Sequence, residues 1–157
     1  MPLPRRALIL GLAAVLAGCG RPGGVTRAAP QRNTFHAGDT AQMRALIDKY
    51  ARLYDVPAPL IHRIVQRESG YNPGARNGPY YGLMQIHPQT AQTMGHRGPA
   101  SDLLDADTNL RYAVRYLRGA WLLSRGSYDK AVSWYANGYY YEAKRRGLLV
   151  ETGLKAG

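Results

Sequence analysis

The chain has 157 residues, of which 45% are hydrophobic and 20% charged, with 21 Lys and Arg against 10 Asp and Glu. That hydrophobic content excludes wholesale disorder, and the length fits one domain. The net charge of +11 calls for an anionic partner such as nucleic acid, anionic lipid or an acidic polymer, and the single Cys excludes both a disulfide within the monomer and a Cys-based zinc site.

Residues 1–18 read as a cleavable targeting segment. Arg5 and Arg6 supply a basic start, and Ala7 to Ala17 is an apolar run of eleven residues. A bilayer span takes about 20 apolar residues, whereas this run suits a secretory signal. The tetrad Leu16-Ala17-Gly18-Cys19 resembles a bacterial lipobox, in which the Cys becomes the lipidated N-terminus. Acyl chains on Cys19 would hold the protein on a membrane without a spanning helix. The alternative is a plain signal peptide with an incidental Cys. Residues 19–38 hold three Arg, two Pro, four Gly and no acid, the composition of a flexible tether. The charge therefore divides into +2 on residues 1–18, +3 on 19–38 and +6 from Asp39 onward.

From there the chain reads as helices. Thr40–Tyr54 places Met43, Leu46, Ile47, Tyr50 and Tyr54 on one face. Pro57 and Pro59 open a second helix, continued by Leu60, Ile61, Ile64 and Val65 and stopped by Gly70 and Pro73. Asn77–Ile86, with two tyrosines and two glycines, allows a short hairpin. Pro88–Met94 reads as a short helix. Leu103–Leu123 carries Leu110, Ala113, Val114, Leu117 and Trp121 on one face. Ser127–Asn137 follows with Ser127 as N-cap, then Tyr139–Leu149. The fold class is mainly α, with a small β element. The expected organisation is signal 1–18, tether 19–38, folded domain 39–150 and tail 151–157.

Glu68 breaks the pattern. Ile61, Ile64, Val65 and Glu68 stand at i, i+3, i+4 and i+7, so a carboxylate continues the apolar stripe at the end of a helix. Burial and the negative helix C-terminus both disfavour its charge, the environment a general acid needs. The alternative is a helix end that tips Glu68 into solvent or onto an Arg. The chain has two other Glu, Glu142 and Glu151. Glu142 is expected to pair with the basic run Lys144-Arg145-Arg146, and the Asp residues sit mostly where capping explains them. The two-carboxylate arrangement of most glycosidases therefore has no convincing second member. His36, His62, His87 and His96 show no metal-ligand spacing, and no phosphate-binding glycine loop occurs.

Four motifs then follow in order: Arg67-Glu68-Ser69-Gly70-Tyr71-Asn72-Pro73, Gly82-Leu83-Met84-Gln85-Ile86, Asp105-Ala106-Asp107-Thr108-Asn109-Leu110 and Tyr135-Ala136-Asn137-Gly138. The succession, over roughly residues 42–146, resembles the catalytic domain of the soluble-lytic-transglycosylase-like family of bacterial peptidoglycan enzymes. The resemblance implies a lysozyme-like helical domain with a glycan cleft. It also implies cleavage between N-acetylmuramic acid and N-acetylglucosamine without water. One Glu protonates the leaving oxygen and then deprotonates the muramoyl 6-hydroxyl, which closes a 1,6-anhydro ring. One carboxylate suffices, because the substrate supplies the nucleophile.

The resemblance carries the acid/base role onto Glu68. It makes Tyr135 the residue that hydrogen-bonds Glu68 and holds it. Substrate contacts fall on Ser69, Gly82, Met84 and Gln85. Tyr81 is a further candidate, since tyrosine offers a sugar an apolar face and a polar tip. The family usually reads Tyr-Asn-Ala-Gly where this chain has Tyr135-Ala136-Asn137-Gly138, which moves the Asn about 100° around a helix. Asn137 is nevertheless expected at the cleft from the helix end. The family often has Ser-Pro where Asn77-Gly78-Pro79 stands, and Asn77 is a candidate polar replacement. No metal or cofactor is implied. The expected setting is the periplasm, with peptidoglycan strands and a membrane as partners and no nucleic acid. Three alternatives stay open: a non-catalytic glycan-binding module, a nucleic-acid-binding domain suggested by charge alone, and a water-using lysozyme-type hydrolase with Asp102 or Asp105 as second acid. The sequence does not distinguish general wall remodelling from service to a secretion, pilus or conjugation machine.

Overall fold

Thr40 starts the first helix by accepting the Met43 amide on its hydroxyl at 3.1 Å. The structure is a computed structural model that describes residues 38–156. The expected signal segment, Cys19 and the expected tether up to residue 37 lie outside the described residues. Helix α1 runs Ala41–Tyr54 and buries Met43, Ile47, Tyr50 and Ala51. Helix α2 runs Ala58–Ser69 behind Pro57, with Pro59 in its first turn, where a missing N–H is harmless. Gly70 ends it in the left-handed region at φ 57°. Leu60, Ile61, Ile64 and Val65 are fully buried, and burying each contributes roughly 1.5–3 kcal/mol.

The expected hairpin is present and minimal. Strand β1, Arg76–Asn77, pairs antiparallel with β2, Tyr80–Tyr81, in the register Arg76↔Tyr81 and Asn77↔Tyr80. Gly78 at φ 57° and Pro79 make the turn, the positive φ at the first central position that a type II′ turn requires. Tyr81 and Ile86 then bond each other's backbone at 3.1 Å in both directions, which folds residues 82–86 into a tight loop.

Helix α3 spans Pro88–Thr93. A 3₁₀ turn, Ala100–Leu104, precedes α4 at Ala106–Ser124. The apolar period reads straight through this junction, which is why a single helix was expected from Leu103. Asp105 breaks it: its backbone is extended, and its carboxylate accepts the Thr108 amide at 2.8 Å. Helix α5 is Tyr128–Asn137, capped by Ser127 as expected. Helix α6, Tyr140–Arg145, is shorter than the pattern suggested. The chain turns back after it, and the Leu148 amide bonds the Ala143 carbonyl at 2.8 Å. Residues 151–156, expected as a tail, belong to the fold. Thr152 is buried and donates to the Leu148 carbonyl, while Arg118 of α4 holds the Glu151 carbonyl at 3.0 Å.

Helix α4 is the centre of the packing. It touches α1, α3, α5 and the 3₁₀ turn, and its buried residues, from Asn109 to Ser124, cover most of its circumference. A helix apolar on so many sides has to be enclosed. Among the described residues, six helices and one two-stranded hairpin make a mainly helical domain of the lysozyme-like kind, with the hairpin beside α2.

Candidate active site

The loop after β2 is held from three directions. Ser69, the last residue of α2, donates its hydroxyl to the Leu83 carbonyl at 2.8 Å. Tyr135 of α5 donates to the Met84 carbonyl at 2.8 Å. Asn109 of α4 is wholly buried. Its Oδ1 accepts the Met84 amide at 3.0 Å, and its Nδ2 donates to the Tyr81 and Leu103 carbonyls, both at 2.8 Å. The bonds to the Leu83 carbonyl, the Met84 amide and the Met84 carbonyl satisfy backbone groups that the tight loop would otherwise strand.

This clamp presents Gln85 beside Glu68. Gln85 stands at φ 46°, a region that few residues other than glycine occupy. Its Nε2 donates to the Ala75 and Gly82 carbonyls at 3.1 and 2.9 Å, which fixes the amide's orientation. Its Oε1 is buried and has no hydrogen-bond partner among the described residues.

The cleft consists of two adjoining pockets of about 330 Å³ each. The first lies among Arg67, Glu68, Asn77, Tyr80, Gln85 and Tyr135. The second shares Tyr80, Gln85, Tyr135 and Ala136 and extends to Tyr116, His87 and Asn137. Glu68 is the one carboxylate among the described residues lining either pocket. Asp105 caps α4, and Asp102 faces His96 at 3.7 Å, so neither suspected second acid lines it.

Glu68 is neither buried in the stripe nor free in solvent; its side chain is 24% exposed. Arg67 binds Oε1 through both Nε, at 2.9 Å, and Nη2. The period of α2 carried Glu68 to the edge of the apolar face, and the neighbouring cation captured one oxygen, as the alternative reading of the sequence allowed. Oε2 has no hydrogen-bond partner among the described residues.

The remaining candidates divide between cleft and scaffold. Asn77, Gln85, Tyr135 and Asn137 line the cleft with Glu68. Asn137 bends its amide back onto the Ser133 carbonyl at 3.0 Å while keeping its place in the wall. Ser69, Gly82, Met84 and Tyr81 were expected as substrate contacts; none of them lines either pocket, each for a physical reason. The Ser69 hydroxyl is spent on the Val65 and Leu83 carbonyls. Gly82 is buried at φ 72°, where a Cβ would lie 2.2 Å from the Leu103 carbonyl. Met84 is wholly buried in the core. Tyr81 turns away from the cleft to lie under Arg76, with its hydroxyl accepting from Arg76 Nη2 at 2.8 Å. Successive strand residues face opposite ways, so the cleft receives Tyr80.

Tyr135 also departs from expectation, since its hydroxyl goes to the Met84 carbonyl and not to Glu68. Burial above all, and then the nearby Glu68 charge, push this phenol well above its ordinary value. It stays a proton donor, as the Met84 bond requires. Tyr116 packs edge-on against it with ring centroids 5.5 Å apart and is itself pushed up to about 12 by burial. Two residues that the sequence reading left out of the site matter to it. Tyr80 forms a wall, and Asn109 anchors the loop. Asn109 carries the signal that exposed Glu68, a polar residue on an apolar stripe at i−4 from Ala113.

The domain is mainly helical and of the lysozyme-like kind, and its cleft carries a single carboxylate, at a helix end, among the described residues. The model of the Transglycosylase SLT domain family matches residues 45–146, and the chain belongs to that family. Membership makes it a protein of lytic transglycosylase type, directed at peptidoglycan.

Proposed function

We propose that the protein cleaves the β-1,4 bond between N-acetylmuramic acid and N-acetylglucosamine in peptidoglycan and leaves a 1,6-anhydro-muramoyl end. The observation that carries this reading is Glu68, which lines a cleft with no second carboxylate among the described residues and whose Oε2 has no hydrogen-bond partner among them. A single carboxyl group suits a reaction in which the substrate brings its own nucleophile. Protonated Glu68 gives its proton to the glycosidic oxygen as the bond from the anomeric carbon to that oxygen breaks. The resulting carboxylate takes the proton of the muramoyl 6-hydroxyl, whose oxygen bonds to the anomeric carbon. Glu68 ends as it began, and no water enters the products. Tyr80, in the same wall as Glu68, offers a sugar a ring face.

We further infer that Cys19 is lipidated and that the protein acts in the periplasm from a membrane anchor. The lipobox-like tetrad supports this.

Mass spectrometry of peptidoglycan digests tests the reaction. Wild-type protein should release 1,6-anhydro-muropeptides, and Glu68→Gln should release none while still binding the wall. Reducing-end products would instead indicate hydrolysis, and binding without cleavage a carbohydrate-binding module. For the anchor, Cys19→Ser should abolish acyl incorporation, and labelling equal to wild type would overturn it.

A further inference from the structure

The resemblance gave Tyr135 the task of holding Glu68, and in the structure the Tyr135 hydroxyl goes to the Met84 carbonyl instead. Another residue fills the place. Arg67, in the same pocket wall, donates from Nε at 2.9 Å and from Nη2 to one oxygen, Glu68 Oε1. The pairing is unusual on a helix, where consecutive side chains do not face each other and ion pairs form three or four residues apart. A cation in the last turn of a helix ordinarily serves the free carbonyls there. At the end of α2 that task is already taken. The Ser69 hydroxyl donates to the Val65 carbonyl at 3.1 Å. The Gly70 amide donates to the Gln66 carbonyl and the Asn72 amide to the Ser69 carbonyl, both at 3.1 Å. Asp129 is held by Arg63 at 2.7 Å. Arg67 is left to its neighbour.

The contact makes the two oxygens of Glu68 unequal. Each carboxylate oxygen offers two lone-pair positions, and on Oε1 both meet N–H groups of one cation. A proton on Oε1 would stand against those donors. Oε2 has no hydrogen-bond partner among the described residues, so the proton that Glu68 gives and takes back belongs on Oε2. The guanidinium is also rigid and planar. Two of its N–H groups converging on one oxygen fix the carboxyl group more firmly than a single bond from a rotatable ammonium would.

We propose that Arg67 is the positioning residue for the acid/base carboxyl group. It holds Oε1 and leaves Oε2 to give its proton to the glycosidic oxygen and then to take the proton of the muramoyl 6-hydroxyl. Arg67 touches no reacting atom and acts through Glu68. The proposal rests on the reading of Glu68 as acid and base. One oxygen then serves both proton transfers, and the carboxyl group need not turn between them.

Two measurements on the full chain test it, with Arg67→Gln, Arg67→Lys and, as control, Arg63→Gln. The first is steady-state cleavage of soluble glycan oligomers. Arg67→Gln should lower kcat about ten- to hundredfold, the scale of a misplaced catalytic group, and leave KM within about twofold. Arg67→Lys keeps the charge without the planar fork and should recover part of the loss. Arg63→Gln removes a cation elsewhere on α2 and should leave both constants at wild type. An exposed ion pair contributes little to stability, so melting curves of all three should coincide with wild type. The second measurement is carbon-13 relaxation of the Glu68 side chain, which needs no turnover. The chain has three Glu, and the Glu68 signal is the one lost in Glu68→Gln. Its order parameter should fall in Arg67→Gln and partly recover in Arg67→Lys. A rise in KM at unchanged kcat would make Arg67 a substrate-binding residue and overturn the proposal. An unchanged order parameter, or equal loss of kcat in Arg63→Gln, would also overturn it. Product analysis keeps the two readings apart. A wild type that cleaves nothing, with a Glu68 side chain that Arg67 holds still, sinks the catalytic reading alone. Anhydro products at equal rates from wild type and Arg67→Gln sink the role of Arg67 alone.

Discussion

The Tyr135 hydroxyl donates to the Met84 carbonyl at 2.8 Å, across 51 residues of sequence. The bond joins the helix that forms one wall of the cleft to the loop that forms another. Tyr135→Phe keeps the ring and leaves a buried carbonyl unpaired, a loss of about 1–2 kcal/mol. Calorimetry should show a fall in Tm of roughly 5 °C for a domain of this size. Cleavage should fall mainly through kcat, because the loop that presents Gln85 loses its far anchor. An unchanged Tm would contradict the clamp.

Asn109 is expected to matter more for stability than any residue in the cleft. Asn109→Ala strands the Met84 amide and the Leu103 carbonyl at once, and takes a second donor from the Tyr81 carbonyl, which keeps the Ile86 amide. The cost should be about 3 kcal/mol or more, measured by urea unfolding. Asn109→Asp separates the two halves of the role, since a carboxylate accepts the Met84 amide but donates to neither carbonyl. Buried and set against two carbonyl oxygens, that charge should cost at least as much as alanine at neutral pH, and a value at wild type would mean that the carbonyl bonds contribute nothing.

The two tyrosines of β2 give a contrast one residue apart. Tyr80→Ala should weaken binding of glycan oligomers about tenfold, on the scale of one lost aromatic contact. Tyr81→Ala should leave that binding near wild type while freeing Arg76. Calorimetric titration with Glu68→Gln as the background would measure both, and the reverse order would mean that the glycan lies on the other face of the hairpin.

A pH effect is expected at His62. Its Nδ1 lies 2.9 Å from the Tyr71 hydroxyl, and burial lowers it from its ordinary 6.5, against the pull of Asp39 and Asp48 and with help from Arg44. The folded state therefore favours the neutral ring. The stabilisation is complete above about pH 6.5 and declines as pH falls from there through the lowered value. The ring is only partly buried, which keeps the effect small. Melting temperatures from pH 7.5 down to 5 should fall faster for wild type than for His62→Gln, and parallel curves would exclude His62 as the cause.

Much of this architecture is legible in the residues. Thr40 and Ser127 announce helix starts because capping is local chemistry, and the stripe through Leu60, Ile61, Ile64 and Val65 needs only the helical period. Glu68 stood out as a misplaced carboxylate by the same rule. What escaped depends on contacts between distant stretches. Ser69 and Met84 lie in motifs that resemble a catalytic family, yet their atoms serve the backbone that carries the site. Which of Tyr80 and Tyr81 meets the cleft is decided by strand register, and register is set by the turn at Gly78-Pro79. Asp105 interrupts a period that sequence alone reads as continuous, because its side chain competes for a backbone amide.

The walls of the cleft come from residues 67–68, 77–80, 85 and 135–136, and none of these stretches forms a wall without the others. A chain still extended carries only an ordinary glutamate beside an arginine. Under the proposed reading, the cutting site therefore exists only in the folded chain, where these distant stretches meet.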